Sequence, residues 1–139
     1  SMVRTGTLDL ATKGHGQVVD ITDAVQGVLR EAQVQHGIAT VFCPSATSAV
    51  TTIEYEGGAV RDFQRLFDQI VPPEAQYLHN QRRGDANGHS HIRAALLGPS
   101  LTVPFSDGRL TLGTWQHVVF VDFDVRPRQR RLVVQIVGE

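Results

Sequence analysis

The sequence predicts an α+β fold in which a mainly antiparallel, sandwich-like sheet packs against two amphipathic helices and a short third helix. Three observations support this prediction: strand-like segments outnumber helix-like ones, the last third of the chain is almost wholly strand-like, and strands and helices do not alternate as βαβ units would. With 139 residues, 41% of them hydrophobic, the chain has the size of one domain and can bury a core of its own. We therefore expect a single domain over residues 3–139.

The first strands are indicated by alternation and by β-branched residues. Residues 4–11 alternate apolar and polar side chains, which is the period of a half-buried strand. Residues 38–43 form a short β-branched and aromatic run that ends at Pro44, and residues 49–55 are rich in Thr, Val and Ile. We expect the last two segments to be neighbouring strands.

Apolar residues at helical spacing predict the two main helices. The first covers residues 21–32, with Thr22 placed to cap its start and Gly37 to end it. The second carries an apolar stripe over residues 60–70, and Pro72 must stop it because proline cannot continue a helix. Both helices have one face suited to packing on a sheet.

Beyond the second helix the chain is first polar and then strand-rich. Residues 76–88 carry charged and amide side chains with two glycines, which predicts a loop, the kind of segment on which functional groups concentrate. A short helix is expected over residues 92–97, closed by Gly98. The turn at residues 106–108 predicts a hairpin. The segments that are typical of strands are 101–105, 109–112, 118–124 and 131–137.

Charge and composition limit the partners and the compartment. Thirteen basic residues oppose fourteen acidic ones, so the net charge of −1 creates no field that would gather nucleic acid or an anionic membrane. An anionic ligand must therefore be held by a local site. The only cysteine, Cys43, has no partner for an intrachain disulfide, and no stretch approaches the roughly 20 apolar residues that span a bilayer. We expect a cytoplasmic protein without nucleic-acid or membrane partners.

The pair His89 and His91 is the first candidate for chemistry. In an extended backbone alternate side chains share a face, so the two imidazoles could chelate one divalent metal, whereas in a helix they would diverge. His79, Asp85 and Asn87 lie shortly upstream and supply nitrogen and oxygen donors suited to zinc, with magnesium or manganese as alternatives. The other interpretation is that both histidines are surface or hydrogen-bonding residues.

Two acidic residues and a run of hydroxyls are further candidates. Glu54 and Glu56 share a side if residues 48–56 are extended, and either could act as a base or complete a metal site; otherwise they form a solvated strand end. No Gly-x-Ser-x-Gly elbow surrounds a serine, so a serine hydrolase is not expected. Hydroxyls can instead bind phosphate or sulfate, or simply cap turns. The hydroxyls concerned are those of Ser45, Thr47 and Ser48, assisted by Arg93 or Arg109.

Three remaining features have plain structural interpretations. Trp115, the only tryptophan, can fill the core or line a pocket. The arginines between residues 126 and 131 interleave no aromatic residues and follow two aspartates, which indicates a solvated, ion-paired hairpin tip and not a nucleic-acid patch. Cys43 has no basic neighbour in sequence and is interpreted as a buried thiol.

Five motifs in order give the chain a resemblance that covers residues 41–139. They are TTIEYE at 51–56, YLHN at 77–80, GDANGHSHIRAALLGPSLTVP at 84–104, DGRLTLGTWQ at 107–116 and RRLVVQIVGE at 130–139. With these motifs the chain resembles the YjbQ-like family of secondary thiamine-phosphate synthase-type proteins. The resemblance implies a sandwich-like α+β domain, a homotrimer with polar pockets near subunit boundaries, and bound metal or sulfate-like anions.

The resemblance also assigns residues and shows two departures. By position in the motifs, the recurrent site residues would be His79, His91, Arg93, Trp115 and Gln116. Many relatives have a histidine after the proline of the second strand, where this chain has Ser45. This chain instead has His89, where many relatives carry a small or apolar residue. The ligand set of the site is therefore expected to differ from the family pattern.

Together these observations leave three functional hypotheses. The first is an enzyme of the secondary thiamine-phosphate synthase type acting on a phosphate-bearing small molecule; the second is metal-assisted hydrolysis with Glu56 as base; the third is a non-catalytic trimeric module that binds a phosphate-bearing metabolite. The predicted catalytic residues are Glu54, Asp85 and His91. The predicted metal ligands are His79, His89 and His91, and the predicted ligand-binding residues are Ser45, Thr47, Ser48, Asn87, Arg93, Trp115 and Gln116.

Overall fold

The computed structural model describes all 139 residues and contains two antiparallel sheets and four helices. The five-stranded sheet has the order β1-β8-β3-β5-β6 and the three-stranded sheet has the order β2-β7-β4. The strands are β1 (Met2–Thr12), β2 (Gln17–Asp20), β3 (Gly37–Phe42), β4 (Ser48–Ile53), β5 (Ser100–Ser106), β6 (Arg109–Leu110), β7 (His117–Asp122) and β8 (Arg128–Gly138); the helices are α1 (Thr22–Ala32), α2 (Gly57–Ile70), α3 (Leu78–Arg83) and α4 (Gly88–Leu97). The α+β class predicted from the sequence is confirmed.

The main core lies between the two sheets and is formed by the inward-facing side chains of their strands. On β8, Leu132, Val134 and Ile136 point inward and are buried, because alternate residues of a strand share a face. They pack with β7 and with the buried side of α1, which contributes Val25 and Leu29. Removing such a buried aliphatic side chain costs about 2 to 5 kcal/mol, so this core holds the two sheets in place.

The strand β7 is covered on both faces. Val118 and Phe120 face the main core, whereas Val119 and Val121 face a second cluster that includes Phe67 of α2. The three-stranded sheet is therefore a middle layer, with the five-stranded sheet on one side and helices α2 and α4 on the other. This arrangement places α4 directly on β4, next to the loop that joins β3 to β4.

Local chemistry sets the helix ends. The Glu56 carboxylate accepts hydrogen bonds from the backbone N–H groups of Gly58 and Ala59 and so caps the start of α2, which ends just before Pro72. Helix α1 ends at Gln33, which takes the left-handed conformation with φ 54°. Gly37, expected to end this helix, instead begins β3.

Three further expectations about local structure were wrong. Strands β3 and β4 lie in different sheets and are not neighbours. Residues 76–88 contain a helix, α3, and are not all loop, and α4 begins at Gly88, four residues before the predicted start. Strand β2 gave no strong sequence signal because it is only four residues long. No helix has the length and apolarity needed to cross a bilayer.

Candidate functional site

The segment from α3 to α4 brings four predicted site residues together. The Nε2 atom of His79 lies 3.1 Å from the Oδ1 atom of Asn87 and 3.5 Å from the Oδ2 atom of Asp85. The imidazole rings of His79 and His91 meet edge to face, with their centroids 4.5 Å apart. We call His79, Asp85, Asn87 and His91 the histidine cluster.

Hydrogen bonding fixes the tautomers of both histidines when they are neutral. A backbone carbonyl can only accept, so the Nδ1 atom of His91, 3.1 Å from the carbonyl oxygen of Ala46, carries the hydrogen. For the same reason the Nε2 atom of His79 carries the hydrogen towards Asn87 and Asp85. The lone pairs left open are those of His91 Nε2 and His79 Nδ1. The cluster therefore offers two nitrogen atoms that can accept a proton or bind a ligand.

Glycines at two points allow the chain to fold into this arrangement. Gly84 ends α3 in the left-handed conformation, with φ 68°. Gly88 has no room for a side chain, because a Cβ atom there would lie 2.6 Å from the Cβ atom of Tyr77. The backbone N–H of Gly88 also donates to the Oδ1 atom of Asn80, which ties the start of α4 to α3. The turn between the two helices is thus tight enough to bring His79 onto His91.

A cavity of about 300 Å³ lies beside His91, between α4 and the β3–β4 loop. It is bounded by Ser45, Ala46, Ser48, His91, Ala94, Ala95 and Pro99. None of these side chains is lysine or arginine, and four of them are alanine or proline. The cavity therefore places His91 at the edge of a space lined mainly by small side chains.

Of the three hydroxyls predicted to bind phosphate, two are already occupied. The Oγ atom of Ser45 accepts hydrogen bonds from Arg130 and from the backbone N–H of Thr47. The hydroxyl of Thr47 donates to Asp124 and accepts from Arg130. The Oγ atom of Ser48, a residue 1% exposed, makes no hydrogen bond to a nitrogen or oxygen atom and lies against the thiol of Cys43. None of the three hydroxyls is therefore open to a ligand in this structure.

Sequence reasoning missed the group that holds this loop. Arg130 forms a bidentate pair with the fully buried Asp122, at 2.8 Å and 2.9 Å, and donates to Ser45 and Thr47 at 3.0 Å each. Arg128 pairs with Asp124 at 2.8 Å. We call Asp122, Asp124, Arg128 and Arg130 the arginine cluster.

The ion pairs expected of these arginines are present, but the pair of Arg130 with Asp122 is buried and is not part of a solvated hairpin tip. Residues 128 and 130 continue the inward-facing alternation of Leu132, and this period-two pattern is the signal that could have identified them. Burial by itself would raise the pKa of Asp122, but hydrogen bonds from Arg130 and Thr12 outweigh it and hold that pKa below its usual value. Asp122 is therefore a buried carboxylate that carries its charge.

Arg93 does not line the histidine cluster, contrary to the prediction that it binds an anion. Its guanidinium is buried and donates to the backbone carbonyls of Phe67 and Val71 and to the carboxylate of Asp68. It also lies over the rings of Phe67 and Phe123. These carbonyls belong to the end of α2, where a positive charge is favourable. Arg93 is thus a capping residue for that helix.

The expected geometry of the pair His89 and His91 was wrong. Both lie in the first turn of α4, where residues two apart point about 200° apart, so their side chains diverge. His89 is buried near the ring of Tyr77, and its Nδ1 atom has no hydrogen-bond partner. No group of three or more His, Cys, Asp or Glu side chains is arranged to hold a metal ion. His89 does not join the histidine cluster.

Glu54, Trp115 and Gln116 lie at the other end of the three-stranded sheet. They flank the Ile53–His117 pair, whereas the histidine cluster lies near the Ser48–Asp122 pair, five residues or ~17 Å along the strands. The side chain of Trp115 is 71% exposed, so it does not fill the core. Within one chain these three residues do not meet His91.

Glu56 is excluded as a base by its own contacts. Hydrogen bonds from the backbone N–H groups of Gly58 and Ala59 lower the pKa of Glu56, which is therefore a carboxylate committed to capping α2. Strand β4 ends at Ile53, so Glu54 and Glu56 do not share the extended face that was expected.

Proteins similar to this chain are known from both sequence and structure. The family model described as UPF0047 protein YjbQ-like matches residues 6–139. The chain belongs to this family. Among its YjbQ-like relatives, a UPF0047 protein of Methanothermobacter thermautotrophicus is 40% identical over 137 residues, which are 99% of this chain and 94% of the relative. The Bacillus subtilis protein YugU is 33% identical, over 95% of this chain and 98% of its own length.

Solved structures of YjbQ-like proteins show the same fold. A protein from Sulfolobus solfataricus, described as YbjQ-like and of unknown function, superposes with a TM-score of 0.90 at 28% identity, covering 99% of this chain and all of the other. A YjbQ/UPF0047 protein from Clostridium acetobutylicum gives a TM-score of 0.87 at 36% identity, covering 94% of this chain and 98% of the other. Family membership thus rests on sequence and structure alike.

Proposed function

We propose that this YjbQ-like protein is a small cytoplasmic enzyme of the secondary thiamine-phosphate synthase type, acting on a phosphate-bearing molecule at the histidine cluster. The observation that carries the proposal is the edge-to-face contact of His79 and His91, in which each ring keeps one nitrogen without a hydrogen-bond partner. The family resemblance supplies the reaction type. The geometry supports the kind of proton and charge handling that such a reaction needs.

The two histidines have different tasks in the proposed reaction. In the joining of a pyrimidine diphosphate to a thiazole phosphate, a carbon–oxygen bond breaks, a carbon–nitrogen bond forms, and diphosphate leaves with the electron pair. A protonated His79 would donate from Nδ1 to the departing oxygens, while Asp85 compensates its charge from the other side of the ring. His91 would donate from Nε2 when protonated. Such donors stabilise charge that develops on a leaving group.

The test is an assay for thiamine phosphate formed from its two phosphorylated precursors, followed by chromatography. The variants His79→Ala and His91→Ala should each lower the rate about a hundredfold, the range expected for loss of one positioned proton donor. His36→Ala is the matched control, because His36 lies on the far side of the fold against Ser106. A rate that neither cluster variant reduces would contradict the proposal.

The predicted zinc ion stays a prediction. Within one chain the histidine cluster offers only two open nitrogens, on His79 and His91. The side chain of His89 diverges from them, so the predicted three-histidine set does not fit, and a metal would need further ligands from substrate, solvent or another copy. The metal content of the purified protein tests this. Zinc, magnesium or manganese that is lost in His79→Ala but retained in His89→Leu would support a two-histidine site.

We also propose that the enzyme is a homotrimer. The outward face of the five-stranded sheet carries the row Val3, Val137 and Ile38, whose side chains are exposed in one chain. Assembly would cover this row and could bring Trp115 of one copy to the histidine cluster of another. Native mass spectrometry tests the stoichiometry. Mixing His91→Ala with Trp115→Ala chains should restore activity if copies share a site, and a monomeric wild type would contradict the proposal.

A further inference from the structure

A second cavity, of about 190 Å³, lies on the other side of α4 from His91. His91 and Arg93 are two residues apart on this helix, so their side chains leave it about 200° apart. Arg93 borders the second cavity, together with α2 and the residues His15 and Gly16 of the β1–β2 loop. This cavity shares no lining residue with the one beside His91, so its ligand need not be a substrate of the proposed function.

The guanidinium of Arg93, a residue 5% exposed, forms one wall of the second cavity. The guanidinium lies over the rings of Phe67 and Phe123 and donates to Asp68, and all three of these residues border the cavity. Its Nε and Nη2 atoms make all of its hydrogen bonds, whereas Nη1 has no partner and keeps some accessible surface. Donors of buried side chains are nearly always paired, so Nη1 marks a position for an acceptor atom of a ligand.

The surroundings of this open donor do not favour an anion. The charge of Arg93 already faces the Asp68 carboxylate and the carbonyls at the end of α2, where the helix dipole is negative. The Oδ2 atom of Asp68 accepts no hydrogen bond from the protein. Gln64 adds a second acceptor, because its Nε2 atom donates to the carbonyl of Gly16 and leaves Oε1 open. The open atoms bordering the cavity thus include one donor on Arg93 and two acceptors on α2.

We propose that the second cavity binds a small molecule through an uncharged primary carboxamide. The carbonyl of such a group accepts from Nη1 of Arg93, and its NH₂ group donates to Gln64 and Asp68. The ring of Phe63, with those of Phe67 and Phe123, covers an apolar remainder of the ligand. A cavity of about 150 Å³ can hold benzene, so this one has room for about six non-hydrogen atoms.

Isobutyramide and isobutyrate form a matched pair of probes, because they have the same shape and only the amide is uncharged and donates hydrogen bonds. Amide chemical shifts of isotope-labelled protein are followed at about pH 8, where histidines contribute no positive charge. Isobutyramide should shift Gly16, Gln64 and Arg93 with an affinity on the order of millimolar. Isobutyrate should bind at least about tenfold more weakly, because it loses two donors and faces the carboxylate of Asp68.

Substitutions on α2 test the charge balance without disturbing the core. Asp68→Asn keeps the shape of the side chain and removes its charge, so the preference for isobutyramide should be lost. Asp62→Asn is the matched control, because Asp62 is exposed on the same helix and does not border the cavity. Gln64→Leu should weaken isobutyramide binding about fivefold by removing one acceptor. Arg93→Lys should abolish it, with circular dichroism to verify the fold.

Three results would overturn the proposal: no shifts at Gly16, Gln64 and Arg93 with isobutyramide, isobutyrate bound as tightly as isobutyramide in the wild type, or an unchanged preference in Asp68→Asn. The variant His91→Ala separates this site from the proposed function. It should keep the wild-type affinity for isobutyramide, and a loss of that affinity would contradict a site that is independent of the histidine cluster.

Discussion

The arginine cluster and the histidine cluster lie on either side of the β3–β4 loop and differ in how much of their hydrogen-bonding capacity is used. Asp122 is fully buried, and its carboxylate is engaged by Arg130, Thr12 and the backbone of Asp124. The histidine cluster is more exposed and leaves one nitrogen open on each ring. A polar group whose hydrogen-bond partners all belong to the protein stabilises the fold. A group that keeps an unpaired donor or acceptor can bind a ligand.

The two clusters are also connected. Arg130 holds Ser45 and Thr47, and the residue between them, Ala46, provides the carbonyl that fixes the tautomer of His91. Arg130 is therefore a positioning residue for His91, although the two side chains do not touch. The buried ion pairs hold the β3–β4 loop in position. The Ala46 carbonyl can then accept from the Nδ1 atom of His91, and the Nε2 atom stays unpaired.

The largest effect should come from breaking the arginine cluster. Arg130→Met would leave Asp122 as a buried carboxylate without its partner, which costs about 3 to 5 kcal/mol of the free energy of unfolding. Denaturant unfolding followed by circular dichroism measures this loss. Arg131→Met is the control, because Arg131 pairs with Asp9 at 2.8 Å with both side chains exposed, and should change stability little. Equal effects of the two substitutions would contradict the distinction between the clusters.

The second prediction concerns how the free energy of unfolding depends on pH. It uses His89, which is buried like Asp122 but has no charged partner. Burial, with the nearby charge of Arg93, lowers the pKa of His89 below its usual 6.5. The unfolded chain therefore binds a proton before the folded chain does, so stability is complete above pH 6.5 and falls as the pH drops from 6.5 towards the lowered pKa.

The variant His89→Leu tests this directly. Its free energy of unfolding should lose the decline that begins near pH 6.5, while keeping the separate decline at more acidic pH that comes from Asp122 and Asp124, whose pKa values lie below 3.8. Denaturant unfolding at a series of pH values gives both slopes. If wild type and variant have the same slope around pH 6, His89 is not a buried neutral imidazole.

The sequence indicated the histidine cluster better than the arginine cluster, and the reason is distance along the chain. His79, Asp85, Asn87 and His91 lie within a short segment, so their proximity could be anticipated. The contact of Arg130 with Ser45 joins residues 85 positions apart, and it depends on β3 pairing with β8, which brings the β3–β4 loop next to Arg130. Local patterns do not encode such a pairing.

The error at His89 has a local cause. Helix α4 begins after Asn87, a residue type that often caps helices, but the side chain of Asn87 contacts His79 and makes no capping hydrogen bond. The segment therefore had few of the usual signals for a helix start, and an extended backbone was the natural interpretation of alternating histidines. The Asn87 side-chain amide could either cap α4 or contact His79, and in this structure it contacts His79.

The smallest expected effect on stability is that of Ser48→Ala. The buried hydroxyl of Ser48 contacts only the weakly hydrogen-bonding thiol of Cys43. Its removal should therefore change the free energy of unfolding by no more than about 1 kcal/mol. Thr47→Ala is the matched comparison: that hydroxyl bonds Asp124 and Arg130, so its removal should cost about 1 to 3 kcal/mol. Thermal unfolding of the two variants in parallel separates the cases. A loss of stability in Ser48→Ala as large as that in Thr47→Ala would show that the Ser48 hydroxyl has a strong hydrogen-bond partner in the folded chain.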